Sequence, residues 1–205
     1  MTSGSTKRTR RGDRVHTPRS ALVAASGLLF LLAGCVSATP GQPVPSSVGQ
    51  TTSVQDDPFR IDKPKRLNAI SDPCQLLAPE QLSELGASSP APGRTPWGQQ
   101  SCRWNNDQLS LNIAPDTVQR QGLKYTAKIF GDERGNPTAE IEGYPAVHAG
   151  VNDLACTTAV GVSETEMFNV QFTAGSEGRH NPAFSDPCAV ADRIASMVLA
   201  NLPPG

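Results

Sequence analysis

Alternation of apolar and polar positions dominates the middle of this 205-residue chain. In LSLNIA (109–114), Leu109, Leu111 and Ile113 share one face, and in MFNVQFTA (167–174) Phe168, Val170 and Phe172 do the same opposite Asn169, Gln171 and Thr173. DLACTTAVGV (153–162) points Leu154, Cys156, Thr158, Val160 and Val162 one way, and SCRW (101–104) aligns Cys102 with Trp104. A period of two marks strands with one buried face. TAEIEGYPAV (138–147) offers one or two more. Helix signals flank this region. Asp72 caps a turn that starts at Pro73, Pro79 opens PEQLSEL with Gly86 ending it, and Asp116 with Gln119 forms a capping pattern ahead of VQRQGLKYTAKIF. A last helix runs from Pro187 to about Ala200, with Pro203 and Pro204 beyond its end. The pattern predicts an α+β fold, an antiparallel sheet with helices packed on one face.

The N-terminal region has a different character. Lys7, Arg8, Arg10, Arg11, Arg14 and Arg19 precede an apolar run of 14 residues, ALVAASGLLFLLAG (21–34), that ends on Cys35. A hydrocarbon core needs roughly twenty residues of helix, so this run is a signal-peptide core rather than a span. Leu32-Ala33-Gly34-Cys35 matches the bacterial lipobox, which predicts cleavage before Cys35, its lipidation, and a location on the outer face of the cytoplasmic membrane. Arg10-Arg11 is followed by Gly-Asp and lies far from the apolar run, which weighs against twin-arginine export. Residues 35–70, rich in Pro, Ser, Thr and Gly, read as a disordered tether. Residues 71–205 then form one extracytoplasmic domain. Without residues 1–34 the chain keeps 12 basic and 18 acidic side chains, a net charge of −6. That sign argues against a nucleic-acid partner, and leaves the lipid on Cys35 as the membrane contact.

Four cysteines follow Cys35: Cys74, Cys102, Cys156 and Cys188. In an exported domain an even number reads as two disulfides. Cys74 and Cys188 both sit in SDPC phrases at helix starts, whereas Cys102 and Cys156 sit on the apolar faces of strands. Helix-to-strand bridges are therefore favoured, Cys74–Cys102 with Cys156–Cys188, and the crossed pairing Cys74–Cys156 with Cys102–Cys188 stays open. Redox chemistry is disfavoured by the lack of Cys-x-x-Cys and by the carboxylates of Asp72 and Asp186, which raise a neighbouring thiol's pKa. No two of these cysteines lie within 25 residues, which argues against a zinc site.

The order of a lipobox cysteine, a Pro/Thr/Ser tether, DPCQLLAPEQLSELG, CRW, EGYPAV, ACTTAVGV and DPCAVADRIASMVLANLP resembles the actinobacterial lipoproteins classed as domain of unknown function 3558. The resemblance spans about 71–203. It implies an envelope lipoprotein and carries no catalytic residue, cofactor or ligand. Ala78 stands where such sequences usually have Thr or Ser, which weakens the cap of PEQLSEL.

Candidate chemistry is sparse. His148 and His180 are the histidines after Cys35, and each reads as a local structural or exposed side chain. Ser163 and Ser176 lack a G-x-S-x-G elbow. Glu140 and Glu142 are expected on one solvated strand face, and Trp97 is expected to cover a sheet edge. No phosphate-binding glycine motif occurs. The expectation is a tethered, non-catalytic binding or sensor module without cofactor or metal. Its partner would be a cell-wall component, a small ligand or an envelope protein. The alternative is an envelope hydrolase using His148 or His180.

Overall fold

The computed structural model describes residues 57–205. The expected signal peptide, Cys35 and residues 36–56 of the expected tether lie outside the described residues. Seven antiparallel strands form one sheet: β1 (Ala91–Arg94), β2 (Gln100–Asn105), β3 (Leu109–Pro115), β4 (Ala139–Ile141), β5 (Tyr144–Asn152), β6 (Ala155–Gly161) and β7 (Met167–Ala174). Their spatial order is β1-β2-β3-β7-β6-β5-β4. Two meanders, β1 to β3 and β4 to β7, thus meet edge to edge where β3 pairs with β7 (Ile113 opposite Val170). Each turn is set by local chemistry. Glu142 (φ 52°) and Gly143 (φ 82°) alone link Ile141 to Tyr144, two left-handed residues that match the right-handed twist of a tight hairpin.

The alternation places its residues as expected. Cys102, Trp104, Leu111, Ile113, Val160, Phe168, Val170 and Phe172 all lie in one core on the inner face. Two layers cover it. A three-ten turn at Pro73–Gln75 lies over β2 and β3 and leads into α1 (Pro79–Glu84), and α3 (Pro187–Asn201) lies over β5, β6 and β7. The disulfides are Cys74–Cys102 and Cys156–Cys188, with Cα separations of 5.0 Å each. Asp72 Oδ1 accepts from Cys74 N at 2.9 Å, and Asp186 Oδ1 accepts from Cys188 N and Ala189 N at 3.0 Å. Both SDPC phrases are therefore capped turns bolted to the sheet. Closing loops with sequence separations of 28 and 32 stabilises the fold by about 3–4 kcal/mol each in the chain-entropy model. Ala78 has no hydroxyl to offer α1. Instead Gln81 Oε1 accepts from Ala78 N at 2.8 Å, and Asn201 at the end of α3 donates to the same Oε1 at 2.7 Å.

The third helix departs from the one-face arrangement. α2 (Gly122–Phe130) packs Leu123 and Ala127 on Val147, Ala159 and Met167, which belong to the outer face. The inner face above β5 to β7 is filled by α3, so the connection from β3 to the distant edge strand β4 must cross on the other side. α2 also begins later than its capping signal. Asp116 Oδ1 does accept from Gln119 N at 2.9 Å and Arg120 N at 3.2 Å, but Arg120 (φ 51°) and Gly122 (φ 64°) are left-handed and postpone the helix. A Cβ at Gly122 would lie 2.2 Å from the Glu164 carbonyl oxygen, so this close crossing requires glycine.

The folded region begins earlier than residue 71. Residues 57–70 run along the domain as a strap. Lys65 N donates to Val162 O and Arg66 N to Pro203 O, each at 3.0 Å, and Leu67 is fully buried in the inner core. Composition concealed this because one buried Leu and a few backbone bonds hold the segment.

Leu67→Ala is expected to cost about 2–5 kcal/mol in urea unfolding, the range for a buried leucine truncated in a core; a change below 0.5 kcal/mol would mean the strap is not integral. Burial pushes the Tyr144 phenol above its ordinary 10.0, and its hydroxyl donates to the Lys63 carbonyl. The neutral form is favoured in the fold, so this contribution is intact below the ordinary tyrosine pKa and is lost as pH rises through the folded value. Alkaline unfolding curves of Tyr144→Phe should lack that component, and identical curves would refute it.

Candidate functional site

The most concentrated group of chemically capable side chains lies where α3 crosses β5 and β6. Register explains it. Cys156 and Thr158 are two apart on β6 and share its inner face, and His148 on β5 stands directly opposite Thr158. On α3, Cys188 and Asp192 are one turn apart and share the face turned to the sheet. Once Cys156 joins Cys188, Asp192 must meet Thr158 and His148. Asp192 Oδ1 lies 2.8 Å from His148 Nε2 and accepts from Thr158 Oγ1 at 2.6 Å. The Asp192 and His148 side chains are 27% and 24% exposed, and Thr158 is fully buried. His148 Nε2 or Nδ1 and the sulfurs of Cys156 and Cys188 all lie within 4.8 Å of one another.

The chemistry open to this cluster is limited by its bonding. A histidine acting as general base needs a nucleophile in hydrogen-bond reach. Among the described residues no side-chain hydroxyl or thiol bonds to the His148 ring, whose recorded side-chain partner is Asp192. The nearest hydroxyl, on Thr158, donates to the same carboxylate oxygen. Both sulfurs are in the disulfide, so neither is the thiolate that metal binding or nucleophilic attack requires. The group ties α3 to the sheet at two successive helical turns, by a covalent bond and then by a hydrogen-bonded carboxylate.

The other sequence candidates are dispersed. His180 ends a three-ten turn (Gly178–His180) and is exposed. Ser163 Oγ accepts from Glu166 N at 3.0 Å in the β6–β7 turn, and Ser176 is exposed. Glu140 lies on β4, but Glu142 belongs to the β4–β5 turn, so the expected carboxylate pair on one strand face does not form. Trp97 projects from the β1–β2 turn with 63% of its surface exposed, and so does not cover the edge as expected. The turn closes through Gly98 N to Thr95 O and Thr95 N to Gln99 O, which leaves the indole outside.

Two grooves open on the surface. One, of about 710 Å³, lies between the strap and α3 and is lined by Lys63, Lys65, Tyr144, Ser196 and Leu199. The second, of about 550 Å³, lies between the strap and α2, along Phe59, Leu123, Lys124, Pro145 and Glu164. Neither contains His148 or His180.

The outer face of the sheet beyond α2 is polar and uncovered. Strand register aligns Arg103, Asn112, Gln171 and Thr157 in one transverse row, with Asn105, Ser110 and Thr173 in the next. Arg103 and Gln171 are exposed. Asn112 Oδ1 sits within the row, shielded and without a hydrogen-bond partner among the described residues.

Residues 30–201 match the family described as Protein of unknown function (DUF3558). The chain belongs to that family. The match covers the Cys35 region and every strand and helix of the domain. No curated protein and no solved structure matches the chain. Family membership agrees with the resemblance drawn from the two DPC phrases and the cysteines between them, and it assigns no activity.

Asp192→Ala leaves the Thr158 hydroxyl buried without its acceptor, which should destabilise the domain by about 1–3 kcal/mol in denaturant unfolding. His148→Ala should cost less, because water can reach the site of its partly exposed ring. Equal effects below 0.5 kcal/mol would show that the cluster does not hold α3.

Proposed function

We propose that this DUF3558 protein is a lipid-tethered protein of the cell envelope whose domain is a non-catalytic binding module, with the polar outer face of the sheet as its binding surface. The observation that carries the reading is the in-register row Arg103, Asn112, Gln171 and Thr157 on a face that α2 leaves open. A flat strip of guanidinium, amide and hydroxyl groups offers both donors and acceptors at strand spacing, roughly 4.8 Å from one to the next. That suits an extended ligand rich in hydroxyl and amide groups, such as a cell-wall component, better than a small apolar molecule.

The lipobox at Leu32–Cys35 supports the anchor, with Cys35 lipidated after cleavage and the domain held at the outer face of the cytoplasmic membrane. The two disulfides fit an oxidising compartment. The alternative, an envelope hydrolase using His148 or His180, has one observation in its favour, the 2.8 Å contact of His148 with Asp192. It lacks a nucleophile placed on that imidazole.

Cys35→Ala should shift the protein from the membrane fraction towards the precursor form and abolish incorporation of labelled fatty acid; unchanged labelling would refute the anchor. A photo-crosslinking residue at Asn105, exposed in the adjacent row, should capture envelope material that the same residue at Arg193, on α3, does not. Arg103→Ala with Gln171→Ala should reduce that capture at least tenfold, each lost hydrogen bond to a charged or amide group being worth about 1 kcal/mol. His148→Gln combined with His180→Ala should leave it unchanged, and a deletion phenotype rescued by the parent but not by this double variant would favour the hydrolase.

A further inference from the structure

The helix α2 holds a property that neither the polar face nor the disulfides use. Val118, Tyr125, Ile129 and Phe130 account for four of the seven large apolar side chains exposed among the described residues, and all lie within 118–130. Tyr125 and Ile129 are four apart and form one ridge, 51% and 60% exposed. Lys124 and Lys128 form the adjacent ridge, and α2 contains no acidic residue. Leu123 and Ala127 face the sheet, so the exposed apolar ridge is additional to the one that packs. A helix of nine residues is about 14 Å long and cannot cross a bilayer. Aromatic and aliphatic side chains beside lysines instead describe a helix that lies in the plane of a membrane interface.

The place where the chain enters the domain identifies what covers this ridge. Asp57 Oδ2 lies 3.5 Å from Lys124 Nζ. Phe59 packs with Leu123 and Ala127, and Lys124 Nζ stands 5.5 Å from the centre of its ring. The first described residues are therefore clamped to α2. Residues 36–56 separate Cys35 from this clamp, and a flexible chain of that length has an r.m.s. span of about 25 Å. An anchor at Cys35 would thus draw α2, before other surfaces, to the bilayer. Lys128 forms no ion pair among the described residues, so its charge is free for a headgroup.

We propose that α2 docks on the anionic phospholipid surface of the bilayer that holds Cys35, with Tyr125, Ile129 and Phe130 in the interface and Lys124 and Lys128 on the headgroups. This rests on the lipid-anchor reading of Cys35. Docking through α2 would fix the domain's orientation.

The test uses the mature chain extracted from membranes and reconstituted in vesicles of phosphatidylcholine with phosphatidylglycerol. The mass of its N-terminal peptide reports acylation at Cys35, and non-reducing peptide mapping reports an intact fold. Ile129→Trp and, independently, Tyr125→Trp serve as fluorescent reporters, against the parent chain with Trp97 and Trp104 as background. Brominated lipids should quench each reporter at least twofold more than the parent. Lys124→Glu with Lys128→Glu, or omission of phosphatidylglycerol, should remove most of that excess. Acylated protein with no excess quenching overturns docking through α2 and leaves the anchor standing. An unacylated N-terminal peptide overturns the anchor and this orientation together.

Discussion

Two covalent bonds of the same local design set the geometry on which the rest depends. In each, an aspartate accepts the amide of a cysteine two residues on, a proline fixes the intervening turn, and the cysteine joins a strand on the sheet's inner face. One bond holds the first turn of the domain to β2 and the other holds α3 to β6. Each meander of the sheet thus carries its own bolt. The two meet in the hydrogen bonds of β3 to β7 and in a shared core around Ile113, Val170 and Phe172. For a domain of this size the two closed loops supply several kcal/mol against a total margin of about 5–15.

The second bolt also accounts for the cluster at His148. Fixing Cys188 to Cys156 leaves no freedom in where Asp192 falls, one helical turn along, and the residues below it are Thr158 and His148. Their arrangement resembles part of a catalytic device because a carboxylate bonded to an imidazole is common to both. What distinguishes them is the third partner. Here the hydroxyl belongs to a fully buried threonine that bonds to the carboxylate, so the group fastens a helix. The bolts do not involve the polar strip on the outer face or the exposed ridge of α2.

Much of the fold could be read from alternation and capping. Leu109, Leu111 and Ile113, like Phe168, Val170 and Phe172, declare their face because a strand with one dry side repeats every two residues. Placing helix-start cysteines against strand-face cysteines left two pairings, and the structure holds the favoured one, Cys74–Cys102 with Cys156–Cys188. Three features escaped. Residues 57–70 look like linker by composition, yet Leu67 in the core, Phe59 against α2 and a few hydrogen bonds bind them to the domain. Glu142 reads as a strand residue until Gly143 is seen to close a two-residue turn. The start of α2 follows its capping aspartate in sequence, but Arg120 and Gly122 take left-handed conformations to pass Glu164.

The sequence by itself determined local identity: which residues alternate, which turns are capped and which cysteines begin helices. These depend on interactions between near neighbours, whose spacing is written in the chain. The tertiary structure alone decided which face α2 covers, because that depends on α3 already occupying the other. It also decided the meeting of His148 with Asp192, and the alignment of Arg103, Asn112, Gln171 and Thr157. Those contacts join residues tens of positions apart, and strand order and register, not composition, bring them together.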